Sequence, residues 1–297
     1  MATLADELCK PFENDVRASH GRIMGGIAGE STEKLRRHRC DFAILVLVEA
    51  VARYLLINNN NSRTKFALAE AGQLLAERDW IETRRLDHAA LAEFARRWDV
   101  ENVVLASVVP EKARVVKEHF GDIVFEIRHD VELGVALDFP DPSTIGADRL
   151  ANASGMVALY GEFPAIVVDF GTAVTFDILS REQAYIGGII APGLDVMTSY
   201  MHERTALLPK IEIEEPSELI GKSTRSAMLS GAVHGYRGLI REILEQLRAE
   251  LAPESGWVKT VATGGYAELI STKIESIDAV LPDLTLEGMR VIANLNI

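Results

Sequence analysis

Cysteine is nearly missing from this sequence. Cys9 and Cys40 are the only two in 297 residues, so everything after them must fold and work without disulfides or thiolate ligands. That usage fits a reducing compartment, and the expected location is cytoplasmic. The seven histidines (His20, His38, His88, His119, His129, His202 and His234) include no close-spaced pair of the metal-binding kind, which argues against zinc catalysis. Long apolar runs are lacking too. The longest near the start, Phe42 to Val48, is followed by Glu49 and Arg53 with no small-residue cleavage pattern, so neither signal peptide nor membrane anchor is expected.

Positive charge is also in deficit, with 31 Lys and Arg against 44 Asp and Glu and a net charge of −13. Such a surface disfavours nucleic acid and anionic membranes as partners, while a nucleotide-sized ligand remains open to a locally positive pocket. Up to Arg53 the chain balances eight basic against eight acidic residues, so the surplus belongs to the remainder. Residues 1–52 are accordingly read as a separate N-terminal extension of unknown role.

The chain as a whole has the composition of a globular protein, 48% apolar and 25% charged, and is long enough for two domains sharing a cleft. Its pattern predicts strands at 54–58 and 63–69 around a turn at 59–62, and a third strand near 73–76. A helix follows at 86–98 with Asp87 as cap, then a buried strand at 102–109 stopped by Pro110. Next come a helix at 111–120, a strand at 123–127 and a helix at 150–160. After a second hairpin, helices are expected at 195–204, 223–251 and 285–295, with a strand at 258–263. The alternation means an α/β protein with largely covered sheets.

The most informative stretch is Ile166 to Leu179, IVVDFGTAVTFDIL, an apolar run broken by Asp-x-Gly-Thr and then resumed. Gly171 removes the side chain where amides must approach phosphate, Thr172 and Thr175 add hydroxyls, and Asp169 is placed to hold a cation beside phosphates. A tight hairpin with no ligand would read the same way in isolation. A weaker copy precedes it: laying Leu56–Leu68 over Val167–Leu179 at constant spacing pairs Asn58 with Asp169, Asn60 with Gly171, Asn61 with Thr172 and Thr64 with Thr175. The chain therefore reads as internally duplicated.

Other candidates are weighed against plainer readings. Gly221-Lys222-Ser223-Thr224 imitates the end of a P-loop, but Pro216 stands where that motif needs glycine, so a helix start capped near Ser223 is the better reading. Gly264-Gly265 is either a turn or a place for adenine against backbone. Asp148, beside Arg149 at a helix start, is either a charge favourable to the helix dipole or a general base facing a substrate hydroxyl.

Taken together, NNNNSRT, SVVP at 107–110, FPDPSTIGADR at 139–149, VVDFGTAVTFD, GGIIAPGL, IGKSTRSAM, ATGGYAELI and LTLEGMRVI resemble, in order, the type III pantothenate kinases of the actin-like, sugar-kinase and Hsp70 ATPase superfamily. The resemblance implies two actin-like (ribonuclease H-like) domains related by duplication, at 53–155 and 156–297, with an ATP cleft between them. It also implies phosphorylation of pantothenate by ATP in a cytoplasmic homodimer, with Mg²⁺ and a monovalent cation (K⁺ or NH₄⁺). By position, Asp148 would be the general base and Arg149 would bind the pantothenate carboxylate, with Phe139, Gly146, Ala147 and, across the dimer, Thr205 completing the substrate site. Asn58, Asn60, Asn61, Ser62, Thr64, Lys65, Gly171, Thr172, Gly264 and Gly265 would bind ATP, and Asp169 the metal.

This chain departs from the family's Asp-x-Gly-Asn-Thr/Ser in its first loop, where Asn58 replaces the aspartate and Asn60 the glycine. Asparagine tolerates positive φ better than most residues, so Asn60 is the milder change. Losing a unit charge at Asn58 beside Mg²⁺·ATP is worth roughly 2 to 4 kcal/mol at an effective dielectric near 20. Phe139 stands where many relatives carry tyrosine, and residues before 53 have no counterpart. A second reading, a non-catalytic regulatory or ligand-binding relative, follows from Asn58 and the extension. Another small-molecule kinase of the superfamily is disfavoured by FPDPSTIGADR.

Overall fold

Strand β1 (Arg53–Asn59) is buried at every position after its first residue, as a central strand covered on both faces must be. The structure, a computed structural model, describes residues 53–98, 101–252 and 257–297; the N-terminal extension lies outside the described residues. β1 pairs antiparallel with β2 (Arg63–Glu70), which pairs antiparallel with β3 (Gln73–Glu82). Helix α1 (His88–Arg97) starts where Asp87 accepts the Ala90 amide at 2.9 Å, the expected cap. β4 (Asn102–Ser107), α2 (Pro110–Phe120) and β5 (Val124–Glu126) complete the first half. β4 ends at Ser107, short of the expected 109, and Pro110 opens α2, where a missing N–H costs nothing.

The second half repeats the plan. β6 (Ala136–Leu137) and α3 (Ala147–Leu159) precede β7 (Ala165–Phe170), β8 (Ala173–Leu179) and β9 (Ala184–Pro192). Helices α4 (Leu194–Arg204) and α5 (Thr224–Leu251) follow, then β10 (Lys259–Gly264), α6 (Ala267–Ser271), β11 (Ala279–Val280) and α7 (Leu284–Asn296). The first sheet runs β3-β2-β1-β4-β5 and the second β11-β10-β7-β8-β9-β6. Read from its other edge, β9-β8-β7-β10-β11 has the order and directions of the first sheet, so the duplication is real at the level of topology.

Three apolar clusters stack the layers. Leu55, Ile57, Val103 and Leu105 face α1 and α2; Tyr54, Leu56, Val104, Val167 and Val261 face α3 and α7 between the sheets; Ile166, Val168, Phe176 and Ala262 face α4, α5 and α6. Alternate residues of one strand thus serve different layers. α3 and α7 cross closely, since a Cβ on Gly288 would overlap the Ala151 carbonyl. α7 also packs on strands of the first sheet, and β6 joins the second sheet although it precedes α3.

One expectation of the duplication needs correction. Thr175 lies opposite Asp169, but Lys65, not Thr64, lies opposite Asn58. The first turn is one residue longer, closed from Asn60 N to Arg63 O at 3.1 Å, where Gly171 N to Ala173 O at 3.1 Å closes the second. Phe66 and Phe176, opposite Ile57 and Val168, are the true equivalents. Counting back from them, the counterpart of Thr172 is Ser62 rather than Asn61.

Candidate active site

The two hairpin turns meet, with the hydroxyls of Ser62 and Thr172 2.8 Å apart. Beneath the first turn a directed chain fixes the loop. Asn59 Nδ2 donates to Thr64 Oγ1 at 2.7 Å, Thr64 passes its proton toward Thr83 at 3.0 Å, and Thr83 donates to the Asn60 carbonyl at 2.5 Å. Ser107 Oγ donates to Asn59 Oδ1 at 2.6 Å, which settles the amide orientation. Thr64 is therefore a buried brace of the loop, and its hydroxyl is not free for phosphate as the sequence had led one to expect. Asn61, Ser62 and Lys65 remain accessible, while the side-chain oxygens of Asn58 and Asn60 are buried without a protein partner.

The second turn rests on the start of α4, where Gly193 N donates to the Thr172 carbonyl at 3.1 Å. Gly171 and Thr172 are exposed at the turn. Gly264 has φ +94°, and a Cβ there would lie 2.5 Å from Asp169 Oδ1, so glycine alone lets this backbone pass the carboxylate. Gly265 is open, and Tyr266 Oη donates to Asp195 Oδ1 at 2.6 Å, tying the turn after β10 to α4.

Three carboxylates converge from different elements: Asp148 in the first turn of α3, Asp169 on β7 and Asp177 on β8. Burial raises the Asp148 pKa to about 6, helped by the Asp169 charge and opposed by the Arg149 amide, which donates to Oδ1 at 2.9 Å. Burial also raises Asp169, against the Asn152 hydrogen bond and the Lys65 charge. Asp177 is fully buried, and burial pushes it up while Arg149 opposes the shift.

Arg149 Nε donates to Asp177 Oδ1 at 2.6 Å, and its guanidinium lies 5.7 Å from the centre of the Tyr185 ring. Its Nη2 is buried with no protein partner, a donor suited to a carboxylate ligand. Phe139 meets Tyr185 edge to face at 6.0 Å, and Gly146 caps α3 where a Cβ would press on Asp148 Oδ1. Phe139 and Arg149 thus meet around Tyr185 and Gly146 lies against Asp148, while Ala147 is buried in the core between the sheets. Thr205 ends α4, exposed, and donates to the Met201 carbonyl at 2.9 Å. Lys222 is exposed beside Glu218, and Ser223 and Ser226 form a capping box, so that segment starts α5 and does not bind phosphate as a P-loop would.

A family model described as type III pantothenate kinase matches residues 54–246. A type III pantothenate kinase of Akkermansia muciniphila is 49% identical over 244 residues, 82% of this chain and 99% of that protein. The chain belongs to the type III pantothenate kinase family. A second member, from Methylacidiphilum infernorum, is 43% identical over 81% of this chain and 88% of its own length. Among solved structures, a putative 2-dehydro-3-deoxygalactonokinase from Sinorhizobium meliloti superposes with a TM-score of 0.50 at 14% identity, covering 81% of this chain and 98% of that one. That likeness is one of fold, and the architecture is the expected pair of actin-like halves.

For this pantothenate kinase, residue-by-residue reading overlooked Asn59, Asn152, Asp177, Tyr185 and Thr285. Two signals were present. Asn152 follows Asp148 by one helical turn and so shares its face. Asp177 is the lone charge in the largely apolar run VTFDIL.

Proposed function

We propose that the cleft between the two turns holds ATP, that α3 presents pantothenate to it, and that the product is 4′-phosphopantothenate, the first intermediate toward coenzyme A. The observation that carries this reading is the pair on α3: a base whose pKa lies near 6 next to an arginine with one unsatisfied buried donor. Arg149 Nη2 takes the pantothenate carboxylate, which sets the primary hydroxyl toward Asp148. Asp148 accepts the hydroxyl proton as the oxygen bonds to the γ-phosphorus, ADP leaves, and the proton passes to solvent. Asn61, Ser62, Thr172, Gly171 and Lys65 offer donors and charge to the phosphates, and Gly264 and Gly265 line the adenosine side.

Mg²⁺ and K⁺ or NH₄⁺ fit this donor set, since Asp169 and the unpartnered Asn58 Oδ1 are hard oxygen ligands. Asp148, Asp169 and Asp177 approach one another, but no three such groups among the described residues are arranged to hold a metal ion by themselves, so phosphate would have to supply further ligands. When bound, the cation neutralises charge on the phosphates. A cytoplasmic homodimer completes the reading. No helix among the described residues is long and apolar enough to cross a membrane. Exposed apolar side chains on β9 and α4, with Ile190 63% and Tyr200 58% accessible, offer a self-association face beside Thr205.

The test is mass-spectrometric detection of 4′-phosphopantothenate from ATP, Mg²⁺, K⁺ and pantothenate. Product that disappears in Arg149→Met at low pantothenate and returns at high pantothenate supports the assignment. No product at any concentration from the native chain would leave the non-catalytic reading in its place.

A further inference from the structure

Asp169 and Asp177 sit on neighbouring antiparallel strands, and Asn152 reaches both. Its Nδ2 lies 3.3 Å from Asp169 Oδ2 and 3.4 Å from Asp177 Oδ2. Asn152 is fully buried, so no water substitutes for this amide. The amide has two orientations of nearly equal shape, and the wrong one would turn Oδ1 toward two carboxylates. The carboxylates, as acceptors, draw Nδ2 inward, and Thr285, in the first turn of α7, holds the outward Oδ1 in place by donating its hydroxyl to it at 2.7 Å. Thr285 is itself 8% accessible, and the close crossing of α3 and α7 delivers it there.

We infer that Thr285 and Asn152 are a positioning pair, in which the hydroxyl locks the amide so that its N–H groups hold Asp169 toward the phosphates and Asp177 toward Arg149. The inference rests on the kinase reading of the site. Both are positioning residues: Asn152 acts through the two carboxylates and Thr285 through Asn152. Asp177 holds the Arg149 guanidinium, so slackening the amide loosens pantothenate as well as slowing transfer. A purely structural buried contact would lower stability without changing both steps in this pattern.

The experiment compares Thr285→Val, which keeps shape and removes the hydroxyl, with Thr285→Ser, which keeps the hydroxyl. Three quantities are read: pantothenate Kd by calorimetry in the absence of nucleotide, kcat, and solvent exchange of the Asn152 side-chain amide by NMR. Thr285→Val is expected to lower kcat about tenfold, the effect of one charge-coupled hydrogen bond, to weaken pantothenate binding about threefold and to expose the amide to faster exchange. Thr285→Ser should restore all three to within about twofold, by the same reasoning. Unchanged amide exchange and unchanged pantothenate affinity in Thr285→Val would overturn the inference, whatever the turnover. Loss of all three in Thr285→Ser as well would overturn it too, because packing would then be the cause. If the native chain makes no 4′-phosphopantothenate the kinase reading fails, while amide exchange and pantothenate affinity still decide for or against the pair.

Discussion

Replacing Asp148 with Asn separates catalysis from stability in opposite directions. The change keeps the shape of the side chain and an oxygen to accept the Arg149 amide, and removes only the charge and the basicity. The folded pKa is raised from 3.8 to about 6. Folding therefore favours the protonated form: the stabilising contribution is fully present below about 3.8 and is lost as pH rises through about 6. At pH 8 the ionised carboxylate costs the fold about 3 kcal/mol at roughly 1.4 kcal/mol per pKa unit, reduced to about 2 kcal/mol because the residue is partly open to solvent. Asp148→Asn should then raise Tm by about 5 °C at pH 8, with the gain vanishing near pH 4. The assay is thermal unfolding of metal-free protein across that range, beside kcat. In the native enzyme kcat should fall about tenfold per pH unit below about 6 and level off above it, and the variant should lose about 10²- to 10⁴-fold of kcat. An equal Tm for the two proteins at pH 8, or an equal gain at both pH values, would refute the reasoning.

Gly188→Ala sets a methyl group against the Phe176 carbonyl and Arg149 Nη2, so KM for pantothenate should rise more than tenfold while KM for ATP moves little. Steady-state kinetics with each substrate varied checks this. Arg237 is buried on α5, donating to the Leu269 carbonyl at 2.6 Å and to Glu215 through two nitrogens. Glu215→Gln should destabilise by about 1 to 2 kcal/mol in urea unfolding, because it removes the charge and one acceptor facing a buried guanidinium while Glu215 itself is about half exposed. Asn59→Ala, which breaks the hydrogen-bond chain under the first turn, should weaken ATP binding about tenfold or more by calorimetry and leave pantothenate affinity unchanged.

Much of this architecture was legible in the residues because the hairpins announce themselves twice. Buried runs such as LLIN and AIVV end at turn chemistry, and Asp87 and Ser223 mark helix starts that the structure confirms. β6 and β11 escaped because two residues carry no alternation to detect. The one-residue difference between the turns escaped because overlaying two stretches at fixed spacing cannot express an insertion, which pairs Thr64 with Thr175 on β8 although Lys65 is the counterpart of Thr175. At the site, Asp148, Arg149 and Asp169 stood out through their motifs. Asn152, Asp177 and Thr285 did not, since a polar side chain inside an apolar run reveals its partners only when distant elements are brought together.

The central claim is that a chain with Asn58 in its first phosphate loop still transfers phosphate through Asp148. Measuring kcat/KM for Mg²⁺·ATP in the native chain and in Asn58→Asp tests it most directly. The account predicts steady formation of 4′-phosphopantothenate by the native chain and a gain of about thirty-fold or more in Asn58→Asp, from a charge worth at least about 2 kcal/mol. Product from Asn58→Asp alone, with none from the native chain, would contradict it.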